Sequence, residues 1–377
     1  MITIRARLCL LLLVVLVGGG VTAPAAAATH LPAGATLSGP PAPRQVTSPS
    51  VILVDARTGA VLWSRGAGVV RAPASLTKML TALLVRATLP LDAVAVTSRN
   101  AARTPPSKLA LKPRQKITVG QALEALMVVS ANDMAVLLAE RAGGSVARFE
   151  QAMNAESRLL GLRRSSWRST NGLDVPGHRS SAFDLAILAR GVLLDPWLAR
   201  VVRTPKVVFT TPDRHRHELY AHSRFLREYR GAIGIKTGFT DHAGHCLAAA
   251  ATRNGRTLIA VVLASSDPVG DAARVMDWGF GPGRGARTGT SLPPYVAPMG
   301  VRTLLTPAPA TSTTSTTLAP VPMGKPHSAS AQLRDWLTRW SAEKRLAAGA
   351  GAGAAGAALF GGAGLARRRR RRSAQVS

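Results

Sequence analysis

Short apolar runs and longer amphipathic segments follow one another in a definite order along the chain. Two β-type runs, 51–55 and 60–63, flank Arg57-Thr58-Gly59 and predict a β-hairpin. Apolar positions at helical spacing then predict helices over 75–88, 119–141, 146–160 and 181–194. Short apolar runs bounded by Gly, Asn or Asp predict late strands over 231–238, 245–252 and 258–264. The early strands must therefore pair with the late ones across an inserted helical block, which is an α+β or three-layer arrangement.

The segments before this region predict export. Arg5 and Arg7 precede an apolar run over 8–17, and small residues follow it, so 1–27 has the three-part pattern of a secretory signal peptide. A permanent N-terminal membrane helix is the alternative, but the apolar run is shorter than the roughly 20 residues that a span needs. Residues 28–50 are rich in Pro, Ala, Thr and Ser and are predicted to be a disordered spacer.

The segments after residue 281 predict a stalk and a membrane anchor. Pro, Thr and Ser dominate 282–330, and residues 331–345 carry Leu and Trp at helical spacing, which is typical of a helix in a membrane interface. The uncharged segment 346–366 predicts a transmembrane helix, and the Arg-rich tail 367–377 is then cytoplasmic. The protein would thus be anchored to the outer face of the bacterial cytoplasmic membrane by a C-terminal helix. A flexible Gly/Ala-rich tail is the alternative.

Composition limits the class of protein. With 46% hydrophobic residues the 377-residue chain is too apolar to be disordered throughout, and its cysteines, Cys9 and Cys246, are too few for a disulfide scaffold. Lys and Arg number 48 against 19 Asp and Glu, a formal net charge of +29. Nucleic acid is the usual partner of such a charge, but predicted export and the lack of a nucleic-acid-binding motif argue against it. Anionic wall polymers or lipid headgroups, or an Arg bias without a specific partner, stay open.

Candidate chemistry begins at Ser75 and Lys78, which a three-residue step places on one face at the start of a predicted helix. A serine hydroxyl is a weak nucleophile unless a base takes its proton, and lysine is such a base only when burial or another cation lowers its pKa. This S-x-x-K spacing alone is common by chance. Together with Ser130-Ala131-Asn132 and Lys236-Thr237-Gly238 it forms the trio that is typical of serine β-lactamases and penicillin-binding proteins.

Further motifs extend the likeness across residues 51–281. The matching stretches are VDARTG (54–59), ASLTK (74–78), VVSAND (128–133), NGL (171–173), GH (177–178), KTGFT (236–240) and AG (243–244). On these motifs the region resembles the serine D-Ala-D-Ala carboxypeptidases, which are low-molecular-mass penicillin-binding proteins. The resemblance implies a β-lactamase/transpeptidase-like fold, an antiparallel sheet flanked by helices with an inserted helical lobe. It also implies removal of the terminal D-alanine from peptidoglycan stem peptides in cell-wall maturation and cell shape, with β-lactams as inhibitors and without a cofactor.

The same resemblance implies the catalytic roles. Ser75 attacks the carbonyl of the penultimate D-alanine and becomes acylated, and Lys78 takes its proton. Ser130 passes a proton to the departing D-alanine nitrogen. The backbone N–H groups of Ser75 and Phe239 form the oxyanion hole.

The remaining site residues are implied to bind substrate. Asn132 hydrogen-bonds the backbone amide of the substrate, and Lys236 supplies positive charge that also helps to keep the base Lys78 neutral. Thr237 offers a hydroxyl to the terminal carboxylate. Gly238, which has no side chain, lets an edge strand approach an extended peptide closely.

The sequence departs from the family pattern in particular places. Ala221-His222-Ser223 occupies the stretch where many relatives carry an Asn-x-Asn pair, and Met134 stands where a small residue is common. No β-rich second domain follows the catalytic one, since the predicted stalk begins near Gly281. These departures put detail on the substrate side in question rather than the chemistry.

Other functions compete with that of a carboxypeptidase. A serine β-lactamase of the common form needs a glutamate between Leu159 and Leu185, and the sequence has none there. A D,D-endopeptidase would share every catalytic residue and stays open, as does a non-catalytic module that binds β-lactams or wall fragments. His217 and His222 are five residues apart rather than four, which argues against a zinc motif, so no metal site is predicted.

Overall fold

Residues 43–305 are described by the computed structural model. The strands are β1 (Ser50–Asp55), β2 (Val61–Arg65), β3 (Val94–Val96), β4 (Lys116–Thr118), β5 (Lys206–Thr210), β6 (Arg216–Tyr220), β7 (Ala232–Thr240), β8 (Gly244–Arg253) and β9 (Arg256–Ser265). The helices are α1 (Lys78–Thr88), α2 (Arg99–Arg103), α3 (Val119–Val128), α4 (Asn132–Gly143), α5 (Val146–Leu159), α6 (Ala182–Leu194), α7 (Pro196–Val202), α8 (Arg224–Glu228), α9 (Pro268–Phe280) and α10 (Val301–Leu305). A single 3₁₀ turn, Ala74–Thr77, precedes α1.

The main sheet joins the two ends of the folded region. Its strand order is β2-β1-β9-β8-β7, and every neighbouring pair is antiparallel. The early strand β1 pairs with the late strand β9, with Val51 opposite Val262 and Leu53 opposite Ala260. The intervening helices therefore form an inserted block, and the predicted α+β fold with an antiparallel sheet is confirmed.

Both faces of the sheet are covered by helices, because successive side chains of each strand point to opposite sides. In β1, Ile52 and Val54 pack into the cluster that includes α1 and α6, whereas Val51 and Leu53 pack into the cluster that includes α9. All of these side chains are fully buried. Burying a Val, Leu or Ile side chain contributes about 1.5–3 kcal/mol, so the alternation fixes the register of the sheet between the helical layers.

The segment that was predicted as one helix over 119–141 is two helices, α3 and α4. Thr118 and Gln121 form a capping box at the start of α3. At its end, the N–H of Ala131 donates to the Ala125 carbonyl, and Ser130 takes the left-handed conformation with φ of 61°. Ser130 thus follows the end of α3 in a backbone conformation that usually favours glycine, and a residue held there costs roughly 1 kcal/mol. The prediction failed because apolar periodicity continues through the break.

The packed region extends beyond both predicted boundaries. The backbone N–H groups of Thr47 and Ser48, which lie in the predicted spacer, donate to the buried carboxylate of Asp271 at 2.8 Å each. Beyond residue 281, Leu292 and Val301 are buried in the main core. The packed region therefore includes parts of the segments that were predicted as spacer and stalk, because short polar and Pro-rich stretches can pack when the adjoining fold offers partners.

No helix within residues 43–305 is long and apolar enough to cross a membrane. The longest, α5, has 14 residues and spans about 21 Å, whereas the hydrocarbon core of a bilayer is about 30 Å thick. This finding contradicts the predicted anchorage to the outer face of the cytoplasmic membrane by a C-terminal helix, and that prediction is wrong. The segments that gave rise to it, 331–345, 346–366 and 367–377, lie outside the described residues, as does the predicted signal peptide, 1–27.

Candidate active site

Ser75 and Lys78 occupy consecutive turns at the start of α1. Ser75 lies half-buried in the 3₁₀ turn, and Lys78 is the first residue of the helix. Ala74, just before the serine, has a left-handed φ of 48°. The turn is pressed against Gly172, where an added Cβ would lie 1.9 Å from the Ala74 carbonyl oxygen. The serine is therefore presented by a strained, tightly packed turn.

The Lys78 ammonium nitrogen is fully buried and has partners on three sides. Its Nζ lies 2.7 Å from the Ser75 Oγ, 2.7 Å from the Asn132 Oδ1 and 2.6 Å from the Asn171 carbonyl oxygen. Two of these partners are carbonyl oxygens, which only accept hydrogen bonds. A neutral amine has two N–H groups for those oxygens and one lone pair for the serine hydroxyl.

The charge state of Lys78 is set by its surroundings. Burial lowers its pKa well below the ordinary value, the nearby cation Lys236 lowers it further, and only Asp133 opposes them. Lys236 is itself fully buried, and burial lowers its pKa to about 7. Burial and the neighbouring cation therefore favour the neutral form of Lys78, the state in which an amine can take a proton from a hydroxyl.

Ser130 and Asn132 enter the site from the break between α3 and α4. The Ser130 side chain lines the same cleft as Ser75, and its hydroxyl makes no hydrogen bond to any described residue. The Asn132 Nδ2 donates to the carbonyls of Pro105 and Pro106 at 3.1 and 3.0 Å. These bonds leave the Asn132 Oδ1 directed at Lys78.

Strand β7 forms the opposite wall of the site. The Lys236 Nζ donates to the Thr237 carbonyl at 2.9 Å, and Thr237 lines the cleft. Gly238 lies against the serine turn, where an added Cβ would be 3.0 Å from the Ser75 backbone nitrogen and 3.1 Å from the Ala74 Cβ. Phe239 is exposed and stacks on His245 with ring centroids 4.5 Å apart. The glycine is thus required by the close approach of this strand to the turn that carries Ser75.

Asp133 supports the wall that faces β7. Its fully buried carboxylate accepts from the backbone N–H groups of Leu109 and Ala110, at 3.0 and 2.8 Å. The same loop supplies the Pro105 and Pro106 carbonyls that orient Asn132. Burial raises the pKa of Asp133, while these backbone donors lower it. Asp133 therefore ties the loop to the start of α4, close to Lys78.

His178 is linked by hydrogen bonds to the 3₁₀ turn that carries Ser75. The backbone N–H of Arg168 donates to its Nδ1, so its Nε2 carries the hydrogen and donates to the Thr77 hydroxyl at 2.8 Å. Thr77 in turn donates to the Ala74 carbonyl at 2.8 Å. Burial, aided by Lys78, lowers the pKa of His178 to about 4, so the ring stays neutral.

These walls enclose an open cleft of about 600 Å³. Its lining includes Ser75, Ser130, Asn132, Thr237, Gly238 and Phe239, so all the sequence-predicted side chains except the buried pair Lys78 and Lys236 reach its surface. No group of three or more His, Cys, Asp or Glu side chains converges anywhere in residues 43–305.

Comparison with known proteins identifies the family to which the chain belongs. Residues 36–267, more than half of the chain, match the peptidase S11 family, described as D-alanyl-D-alanine carboxypeptidase. The chain belongs to the D-alanyl-D-alanine carboxypeptidase family. It is 33% identical over 239 residues to the D-alanyl-D-alanine carboxypeptidase DacF of Bacillus subtilis, and the match covers 61% of each chain. The chain thus spans about three-fifths of the length of that relative.

Solved structures agree with this assignment. The D-alanyl-D-alanine carboxypeptidase of Mycobacterium tuberculosis H37Rv superposes with a TM-score of 0.61 at 30% identity, covering 65% of this chain and 96% of that one. The Streptomyces K15 DD-transpeptidase superposes with a TM-score of 0.61 at 30% identity, covering 64% and 99%. The predicted transpeptidase-like fold is therefore confirmed.

Several residues that complete this carboxypeptidase-family site were missed by the sequence analysis. Asn171 acts through its backbone carbonyl, which any residue type could supply; its side chain holds the loop by accepting from the N–H of Leu173 at 3.0 Å. Asp133 and His178 lay within quoted motifs, but no role was assigned to them. The signal that could have identified Asp133 was its position directly after the predicted site residue Asn132, in a segment that is largely apolar.

Proposed function

We propose that this protein is a serine D-Ala-D-Ala carboxypeptidase, which removes the terminal D-alanine from peptidoglycan stem peptides through an acyl-serine intermediate. One observation supports this proposal above the others. The Ser75 hydroxyl lies 2.7 Å from a fully buried Lys78 whose other neighbours are carbonyl oxygens. An amine in this position takes a proton from the serine and so generates the nucleophile.

The acylation step follows from these positions. The Ser75 Oγ forms a bond to the carbonyl carbon of the penultimate D-alanine while its proton moves to the Lys78 Nζ. The bond from that carbon to the terminal D-alanine nitrogen then breaks, and the free Ser130 hydroxyl relays a proton to the departing amine. Lys78 returns to the neutral state when its proton replaces the one that Ser130 gave.

Substrate binding is proposed along β7. An extended peptide lies against the strand at Gly238, and its terminal carboxylate meets the Thr237 hydroxyl and the positive field of Lys236. The carbonyl under attack points to the backbone N–H groups of Ser75 and Phe239. Their donors stabilise the oxygen as it gains charge, which accounts for about 3–4 kcal/mol per donor in comparable sites.

We propose that the same site also binds β-lactams. A β-lactam acylates Ser75 and keeps its leaving group tethered, so the adduct persists unless water is activated. No glutamate lines the cleft in the part of the chain that the structure describes. We therefore expect slow hydrolysis of the adduct. This is the behaviour of a penicillin-binding enzyme of cell-wall maturation and cell shape rather than of a β-lactamase.

D-alanine release from a synthetic pentapeptide ending in D-Ala-D-Ala tests the proposal. We expect release by the wild type and loss of at least about a thousandfold in Ser75→Ala, because the acyl intermediate is then impossible. Ser107→Ala is the matched control, since Ser107 also lines the cleft and the proposed mechanism gives its hydroxyl no role. Equal rates in wild type and Ser75→Ala would exclude the mechanism.

A cross-linked peptide dimer distinguishes the alternative activity. A D,D-endopeptidase would cleave the dimer and release a monomer, whereas a carboxypeptidase would release only free D-alanine from the pentapeptide. Binding of either substrate with no product would support a non-catalytic module instead.

A further inference from the structure

A second cleft lies at the end of the sheet away from the nucleophile. It has a volume of about 740 Å³ and is bounded by the β1–β2 turn, α6, the end of α7, the start of β7 and the β8–β9 turn. Its lining includes Ile233 on β7, four residues before Thr237 of the active site, a separation of about 13 Å along the strand. The two clefts are therefore separate sites on the same strands.

The cleft is exceptionally rich in arginine. Its lining carries Arg57, Arg190, Arg203, Arg256, Arg284 and Arg287. Asp55 is the one acidic residue among the described residues that line it. The Asp55 carboxylate is already engaged, because it pairs with the Arg256 Nε at 3.0 Å and accepts from Thr58. The remaining arginines thus have no acidic counter-charge among the described residues that line the cleft.

These arginines fall into a fixed set and a free set. Arg256 is held by Asp55 and by the Gly279 carbonyl at 3.0 Å, and its buried Nη2 has no hydrogen-bond partner within residues 43–305. Arg190 is held by the Ala56 carbonyl at 2.8 Å, and Arg287 donates to the Ala286 carbonyl at 2.7 Å.

Arg57, Arg203 and Arg284 make up the free set. They are exposed, and their side chains form no hydrogen bond or ion pair with any described residue. The cleft thus combines arginines whose side chains are held in place with exposed arginines that can move to contact a ligand. This arrangement suits the binding of an anion.

We infer that this cleft binds an anion bearing two or more phosphate groups. The guanidinium fork matches phosphate oxygens with paired hydrogen bonds, and a concave surface lined by one sign of charge raises the local concentration of the opposite ion. Several uncompensated arginines call for a ligand of high charge density, which phosphate groups supply in a volume of this size. The ligand is either a free oligophosphate or a cluster of phospholipid headgroups.

Calorimetric titration of the full-length protein with sodium tripolyphosphate at fixed ionic strength tests this inference. The variant is Arg203→Gln/Arg284→Gln, and the matched control is Arg99→Gln/Arg148→Gln, which removes two exposed arginines outside the cleft. Losing two charge-assisted contacts should weaken binding at least about tenfold in the cleft variant and not in the control. D-alanine release and melting temperature should stay unchanged in both, which separates this inference from the proposed catalytic function.

Two further arms identify the source and the class of the anion. If phospholipid headgroups are the source, vesicles of phosphatidylglycerol and phosphatidylcholine should bind the wild type more tightly than they bind the cleft variant. If the ligand is a free oligophosphate, tripolyphosphate should show this difference and the vesicles should not. Citrate, which carries carboxylates instead of phosphates, should bind more weakly. Absence of binding in every arm, equal loss in the cleft variant and the control, or citrate binding as tight as tripolyphosphate would overturn the inference.

Discussion

The neutrality of Lys78 can be tested by placing a negative charge beside it. Asn132→Asp puts a carboxylate where the amide oxygen now lies 2.7 Å from the Lys78 Nζ. At an effective dielectric constant of about 20, unit charges at this separation attract by roughly 6 kcal/mol, which corresponds to about four pKa units. Desolvation of the new carboxylate offsets part of this attraction, so we expect the pKa of Lys78 to rise by at least about two units.

The consequence is a displaced pH profile. Lys78 accepts a proton only when it is neutral, so activity falls as the pH drops through its pKa, and a raised pKa moves this acid limb to higher pH. Each unit below the pKa lowers the neutral fraction about tenfold, so at a pH on the acid limb of both proteins D-alanine release should be at least about a hundredfold lower in Asn132→Asp, and it should recover as the pH rises.

The control removes the same contacts without adding charge. Asn132→Ala also loses the amide bonds to the Pro105 and Pro106 carbonyls, but its acid limb should stay near that of the wild type. The assay is kcat/KM for D-alanine release from about pH 5 to about pH 10. If Asn132→Asp kept the acid limb of Asn132→Ala, Lys78 would not be the base.

Three other expectations follow from the site. Gly238→Ala should lower kcat/KM by about ten- to a hundredfold in steady-state assays, because its Cβ would meet the Ser75 backbone nitrogen at 3.0 Å; Gly285→Ala, which meets nothing within 4 Å, should have no effect. The pKa of His178 is lowered from 6.5 to about 4, so the unfolded state takes up a proton first as the pH falls. Wild type should therefore lose roughly 3 kcal/mol of stability across that window in urea unfolding, and His178→Gln should escape that loss. Asp133→Ala should increase proteolysis of the loop that it holds and lower kcat, and an unchanged cleavage pattern would contradict its bracing role.

Much of the site followed from residue types at fixed spacings. Ser75 lies in the 3₁₀ turn just before α1, and Lys78 is the first residue of α1, as the three-residue spacing predicted. The strand that carries Lys236 lies against this turn. These motifs are local in sequence, and their chemistry needs particular side chains. They were therefore visible without a structure.

What escaped prediction depends on backbone atoms and on long-range packing. The Asn171 carbonyl contacts Lys78 whatever its side chain, so no residue type encodes that contact. The break at Ser130 interrupts an apolar pattern that suits one continuous helix. The hairpin β5–β6 and the helix α9 were not predicted at all, and the segment 43–49 packs through long-range hydrogen bonds that include those to the Asp271 carboxylate and the Leu263 carbonyl.

The most direct test of the account is the intact mass of the protein after incubation with a penicillin, followed by peptide mapping. Wild type and Ser107→Ala should each gain one persistent adduct, located on the peptide that contains Ser75, and Ser75→Ala should gain none. An adduct on another residue, or no adduct while the drug stays intact, would contradict the assignment of Ser75 as the nucleophile. Consumption of the drug without an adduct would show rapid hydrolysis and contradict the slow deacylation proposed for this site.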